Sequence, residues 1–430
     1  MSGEHAGWKS ALVRELGDLQ LGRQRSPSTA VGPNQTPYLR VANVFDGFID
    51  YSDVLTMSFS QAERRVFGVQ PDDILLNEGQ SLELVGRSAI YDGPPDRYCI
   101  QNTLVRFRCG ENLIPAFAQA TFKRWMDTGR FAQIAKQTTS IAHLGAGRFG
   151  ALVMSLPPVP EQRRIAEVLG AIDEAIRKTE QVIAKLQQMK QGLLHDLLTR
   201  GIDENGELRD PERLPENFKD SPLGRLPKIW NAAQLGASGQ WVSGGTPRTN
   251  DPRFWDGGIP WISASSLKSF WLSRSDRTLT ERGVAAGSRL VPAGTVIFVV
   301  RGMSLKTEFR VGVSTRELAF GQDCKAIVPA GHLDPHFLGL LLHGSCDKVL
   351  RLVDEASHGT GRLPIPPLQA MWIGVPPLVE QRQIVARVSA LDIRLARERA
   401  ELCKLRTLKH GLMDDLLTGK VRVIPEEPAR

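Results

Sequence analysis

The sequence predicts an α+β chain built twice over. Two α/β blocks are each followed by one long α-helix, and the two helices pair as an antiparallel coiled coil with pseudo-twofold symmetry. Three observations predict this. The stretch "PPVPEQRRIAEVLGAIDEAI" at Pro157 recurs as "PPLVEQRQIVARVSALDIRL" at Pro376, 219 positions later. Apolar residues after each proline pair recur at three- and four-residue steps, which is helical spacing. Upstream of each copy lie short β-like runs broken by Gly, Pro and Asp, the pattern of an α+β domain.

Taken in order, residues 1–156 form the first block. "TLVRFRC" reads as a strand, and one short helix is expected near 113–126. Residues 157–201 form the first helical spacer. Pro157 and Pro158 end the apolar run "ALVMSL", and a proline pair is tolerated before a helix but not inside one. Glu161 then puts a carboxylate in the first turn, where the helix dipole favours it. Ile165, Leu169, Ile172, Ile176, Ile183, Leu186, Met189, Leu193 and Leu197 make the apolar stripe, and Gly201 is a C-cap. Residues 202–229 are acidic, proline-rich and without apolar periodicity, and read as a linker.

Residues 230–375 form the second block, with "TVIFVV" as a strand and a helix near 335–343. Residues 376–419 form the second spacer, from Pro376 and Pro377 through Ile384, Val388, Leu391, Leu395, Leu402, Leu405, Leu408, Leu412 and Leu416 to Gly419. Residues 420–430 are a C-terminal tail. A spacer of about 38 residues at ~1.5 Å rise is a rod roughly 57 Å long. Such a rod would overhang one small block, and its stripe needs a partner along its length; the other copy supplies it.

The two spacers align without a gap. Identities run through Glu161/Glu380, Gln162/Gln381, Arg163/Arg382, Asp173/Asp392 and Leu186/Leu405 to "DLLT" in both, so an internal duplication is secure. The blocks retain only a skeleton: "TPYLRVANV" (36–44) against "IPWISASSL" (259–267), and Gln101-Asn102 against Gln322-Asp323. Rods that stay alike share a task, and blocks that diverge have different ones.

Composition narrows the function. The 430 residues are 41% hydrophobic and 23% charged, with no run of about 18 apolar residues, so a cytoplasmic chain with no membrane span is expected. The five scattered cysteines show no CxxC spacing and read as reduced thiols. A net charge of +7 suggests an anionic partner, gathered on one face by folding because no segment is a basic tail. Signatures of chemistry are missing. "GAGRFG" (145–150) matches GxGxxG, but "ALVMSLPP" follows it and Asp173 falls inside the rod, so a turn is expected. His332 and His336 have Pro335 between them and no acid in a metalloprotease position. No metal site and no catalytic residue is expected, and the chain reads as no enzyme by itself.

At this point "PPxxEQRxI" after a short apolar strand, a rod ending in "GLLHDLLT", and the repetition of the whole resemble the specificity subunit of Type I restriction–modification systems. "SGGTPRTNDPRFWDGGIPWISASSL", "FGQDCKAIVP" and "LPKIW" resemble that family's target-recognition domains and their entry. Two departures stand out: Arg200 occupies the place of Gly419, and "HGTGRLPIPPL" has only a loose counterpart in "SIAHLGAGRFG". The resemblance implies two target-recognition domains held apart by the rods, reading an asymmetric bipartite target on double-stranded DNA in bacterial defence. It implies docking of two methyltransferase (modification) subunits and of restriction (translocase–nuclease) subunits. S-adenosylmethionine, ATP and Mg would belong to those partners, with no cofactor in this chain. The docking motif would be Pro157, Pro158, Glu161, Gln162, Arg163 and Pro376, Pro377, Glu380, Gln381, Arg382. DNA contacts are expected from Arg40, Asn43, Asn77 and Arg87 in the first block, and from Thr246, Arg248, Ser265, Lys268, Arg301 and Lys306 in the second. These are residue types that reach base edges and phosphates from turns. The rival readings are a coiled-coil scaffold that never binds DNA, or the targeting subunit of a different DNA-modification system.

Overall fold

A computed structural model describes residues 7–138, 140–355 and 359–423. Four helices organise it: α1 (Pro115–Asp127), α2 (Val159–Thr199), α3 (Pro335–Gly344) and α4 (Leu378–Leu416). The chain divides into two compact units, residues 1–180 with 400–430, and residues 181–399. Each unit therefore holds one block, the start of its own long helix and the end of the other one.

In the first unit, strands Gly17–Leu21, Leu104–Cys109, Ile74–Asn77 and Ser88–Ile90 form an antiparallel sheet in that spatial order. A second sheet pairs Gln35–Leu39 antiparallel with Leu55–Ser58 and parallel with Cys99–Ile100. Lys9–Leu12 pairs antiparallel with Val153–Leu156, so the block begins and ends at one place, beside the start of α2. Its core is aromatic. Phe107, Phe117, Phe122 and Phe149 pack with Ile165 and Leu169 of α2 and with Met413 and Leu416 of α4.

The second unit repeats the plan with more strands. Gly239–Ser243, Cys324–Pro329, Val296–Val299, Val311–Ser314 and Trp271–Leu272 form one sheet. Trp255–Ile262 leads another and pairs parallel with Leu318–Phe320. Asn231–Gln234 closes the block against Trp372–Val375, the counterpart of the first unit's closing pair. The core joins Phe298, Phe337 and Leu341 to Leu194 and Leu197 of α2 and to Ile384 and Val388 of α4.

Within each unit the long helices run antiparallel. In the first, Asp173 meets Lys409 at 2.5 Å and Glu180 meets Arg406 at 2.7 Å, so numbers rise along one helix as they fall along the other. In the second, Lys190 meets Asp392 at 2.5 Å. Asp173/Lys409 and Asp392/Lys190 are one residue pair generated twice by the repeat, with the copies exchanged. The apolar stripe is buried or half-buried except at Met189 and Leu408, which occupy the same repeat position and face solvent in both copies. A 3.6-residue helix drifts away from a near-heptad stripe, and here the neighbouring Lys190 and Lys409 turn inward to make the ion pairs instead.

The span 202–229, expected to be a linker, contains regular structure. Phe218–Ser221 and Gly224–Pro227 form a hairpin, and Phe218 and Leu226 are buried. Lone apolar residues at hairpin spacing leave no periodicity to read. Within residues 145–150, expected to be a turn, Ala146–Gly150 make a short helix that leads into the closing strand. The tail is anchored as far as it is described, through Arg422; positions 424–430 lie outside the described residues.

Candidate nucleic-acid interface

The duplicated junction comes first, because it sets where each block sits on its helix. The side chains of Gln162 and Gln381 are fully buried. The Gln162 carbonyl oxygen accepts from the Ile114 N–H (2.9 Å), while its amide donates to the carbonyls of Pro157 (2.9 Å) and Asn112 (3.0 Å). Gln381 repeats this with the Asp334 N–H (2.7 Å) and the carbonyls of Pro376 (2.8 Å) and His332 (3.0 Å). Only a neutral amide of this length can accept once and donate twice there. It ties the turn before α1 or α3 to the proline that opens the long helix.

The neighbouring glutamates close a second clamp. Glu161 accepts from Arg422, which follows the end of α4, at 2.7 and 2.8 Å, and from the Trp8 indole at 3.3 Å. Glu380 accepts from Arg209, which follows the end of α2, at 2.6 Å, from the Trp230 indole at 3.1 Å and from the Ile202 N–H at 2.9 Å. Trp8 and Trp230 each stand immediately before the strand that opens their block. Gly201 must be glycine: its φ is +64°, and a Cβ would lie 2.2 Å from Glu380 Oε1.

Of the proposed docking residues, Glu161, Gln162, Glu380 and Gln381 are thus turned inward and spent within their units, and Pro157 and Pro376 are buried. Pro158, Arg163, Pro377 and Arg382 remain at the surface. The sequence marked the glutamates and glutamines by their repetition. Trp230 was marked only as the end of the entry stretch "LPKIW", and the sequence held no sign of Arg209 and Arg422, which complete the clamp from distant segments.

The candidate DNA contacts separate by burial. Asn43 is buried: its side chain accepts from the Arg40 N–H (3.0 Å) and donates to the carbonyls of Asp50 and Asp53 (both 3.0 Å), which fixes a turn. Asn77 is fully buried and donates to the Val44 carbonyl at 3.3 Å. Neither presents an edge to a base. Arg40 is half-buried and paired with Asp53. The Arg87 guanidinium lies 4.7 Å from the Phe45 ring centre, and burial lowers its pKa.

The second-block candidates are more open. Arg248, Ser265, Lys268, Arg301 and Lys306 are exposed and Thr246 is half-buried. Lys306 is paired with Glu355, and the Arg248 carbonyl accepts from the Trp255 indole at 3.0 Å. Arg301 is the one the fold singles out. In the small sheet of Arg301–Gly302, Gly361–Arg362 and Asp354–Glu355, Arg301 stands directly opposite Arg362. Both border a groove with Lys325, Gln322 and Asp323. Like charges directly opposed across strands are destabilising; on its other side Arg362 stands opposite Asp354, which answers one of the two charges. The corresponding sheet of the first unit pairs Gly79 with His143, whose ring Nδ1 lies 3.0 Å from Glu78. The groove of the second block thus carries Arg301, Lys325 and Arg362 against Asp323, whereas the first unit's sheet carries Lys136 and His143 beside Glu78. Arg362 and Lys325 went unmarked in the sequence, because their proximity to Arg301 exists only once three separated segments pair.

Among the described residues, no group of three or more His, Cys, Asp and Glu side chains is placed to hold a metal ion. No described helix is long and apolar enough to cross a membrane.

Residues 227–405 match the family model described as "Type I restriction modification DNA specificity domain". The chain is 24% identical over 397 residues to a type I restriction enzyme MjaX specificity subunit of Methanocaldococcus jannaschii, covering 90% of this chain and 87% of that one. It is 28% identical over 160 residues to the EcoR124I/EcoR124II specificity subunit of Escherichia coli, covering 37% and 40%. The fold matches a chain solved in a study of complex assembly and conformational transition of the type I R-M system, with TM-score 0.60, 17% identity, and 97% and 99% of the two chains covered. It also matches the Type-I restriction-modification S subunit from M. genitalium, with TM-score 0.56, 16% identity, and 96% and 97% covered. The domain model spans the second block and most of its long helix, the relatives extend the likeness over the chain, and the solved structures carry the fold: the chain is similar throughout to the specificity subunits of type I restriction–modification systems.

Proposed function

We propose that this chain reads an asymmetric, bipartite target on double-stranded DNA, one half by each block. The observation that carries the reading is one junction used twice beneath two different surfaces. Gln162 and Gln381 make the same three bonds, while the sheet bearing Arg301 and Arg362 in one block bears Gly79 and His143 in the other. Identical readers would favour a palindrome, and unlike readers on equivalent mounts favour an asymmetric site. Arg301, Arg362 and Lys325 contact DNA in the second half-site, with Thr246 and Arg248 on the neighbouring loop. The long helices set the unread spacer.

In this reading two methyltransferase subunits dock on the chain and restriction subunits join them. Those partners bring S-adenosylmethionine, ATP and magnesium, and catalysis is theirs. Mapping adenine methylation across the genome with and without the gene tests the proposal. A bipartite motif that vanishes on deletion supports it. A working partner methyltransferase with no such motif overturns it. A non-binding scaffold would also leave DNA affinity of the complex without a salt slope, whereas a reader that neutralises phosphates shows a steep one.

A further inference from the structure

The blocks diverge almost everywhere, so an exposed feature that both keep calls for a partner common to both. One such feature is an aromatic ring at an equivalent position after an equivalent strand and turn, on a loop in the first unit and on the edge strand Trp271–Leu272 in the second. In the first unit, strand Gln35–Leu39 is followed by the Asn43 turn, buried Val44, exposed Phe48 and buried Ile49. In the second, strand Trp255–Ile262 is followed by the Ser266 turn, buried Leu267, exposed Trp271 and buried Leu272. The turns match in their bonds: Asn43 accepts from the N–H three residues before it at 3.0 Å, and Ser266 does the same at 2.8 Å. The strands match as well, with Leu39 beside Ile100 and Ile262 beside Phe320, both in parallel pairs.

Phe48 is 56% exposed and Trp271 43% exposed. Single exposed rings are ordinary. These two are held in place from behind. Phe48 stacks on Phe45 at 5.0 Å and 7°, and Arg87 covers the other ring of that pair. Trp271 packs edge-on to Phe270 at 5.2 Å and against His336 of α3 at 4.8 Å. In the first unit the ring borders a groove with Asp46, Lys123, Asp173, Arg177 and Lys409. A rigid aromatic rimmed by charges of both signs is the composition of a protein-binding hot spot. Carboxylates at Asp46 and Asp173 are poor neighbours for a phosphate backbone.

We infer that Phe48 and Trp271 are the anchors by which each unit docks a folded protein partner present in two identical copies. Resting on the function proposed above, that partner is the modification subunit. Phe45, Phe270 and Arg87 stiffen the anchors, which moves Arg87 from base reading to docking.

The test uses the full chain co-expressed with the modification subunit, with stoichiometry read by native mass spectrometry and affinity by titration. Unmutated chain holds two copies. Phe48→Ser and Trp271→Ser each weaken one copy at least tenfold, the double variant loses both, and Phe48→Tyr with Trp271→Phe retains both. The unfolding midpoint of the free chain stays unchanged in every variant. Two tightly held copies on the double variant overturn the assignment while leaving the proposed function standing. Intact assembly with weakened DNA binding also overturns it, since the rings would then contact DNA. An unmutated chain that holds no modification subunit removes the functional reading and this inference together.

Discussion

Glu380 and Glu161 occupy the same repeat position, yet they are unequally enclosed. The Arg209 side chain on Glu380 is 11% exposed, and the Arg422 side chain on Glu161 is 30% exposed. Removing one charge of a buried pair strands the other, which costs about 3 kcal/mol or more, whereas water can re-solvate a more open partner. Glu380→Gln should therefore destabilise the chain by about 3 kcal/mol in urea unfolding, and Glu161→Gln by clearly less. Equal losses would show that the clamps work through the indoles and not the ion pairs. The cysteines give a second prediction at this scale. Burial pushes the thiols of Cys99 and Cys324 up to about 12, while Cys403 is exposed. The thiolate is the reactive form, so at pH 8 an alkylating reagent should modify Cys403 and spare Cys99 and Cys324 in the native chain. The same shift stabilises the fold below the ordinary thiol pKa, and this contribution is lost as pH rises toward 12.

At the scale of the element, the long helices owe their stability to a buried stripe and not to propensity. Both copies carry a glycine inside the helix, Gly192 and Gly411, exposed and with open space around an added Cβ. Glycine in a helix interior costs roughly 0.5–1 kcal/mol relative to alanine. Gly192→Ala and Gly411→Ala should each stabilise the free chain by about that amount, as read by thermal unfolding. The ion pairs Asp173–Lys409 and Lys190–Asp392 are partly exposed, and pairs of that kind contribute about 0–1 kcal/mol each. Their value is in register, because each fixes which turn of one helix faces which turn of the other.

For the whole molecule, the proposed two-part target should respond one half at a time. Arg301→Ala and Arg362→Ala each remove one cation from the second block. Either should cost about 1–3 kcal/mol of DNA affinity and relax methylation specificity at one half of the target only. Methylation mapping on variant targets measures this, and equal relaxation at both halves would break the assignment of one block to one half-site.

How much of this was legible depends on distance along the chain. The duplication, the proline-to-helix junctions, α1 and α3, and the helix stripe are local patterns, and the sequence alone determined them. It also determined that two unlike blocks share one mount, since divergence and repetition are both visible in the letters. Burial was not visible. Asn43 and Asn77 looked like readers by residue type, yet the fold spends them on the carbonyls of Asp50, Asp53 and Val44. The repeated Glu and Gln looked like a docking motif, yet the glutamates close contacts with Trp8, Arg209, Trp230 and Arg422 from far along the chain, and the glutamines bond to the backbone of the turn before α1 or α3. Tertiary structure alone decided which charges meet. Arg301 and Arg362 are opposed only because two short strands pair across some sixty intervening residues, and a hydrogen-bond ladder formed at that separation leaves no periodic trace in the sequence.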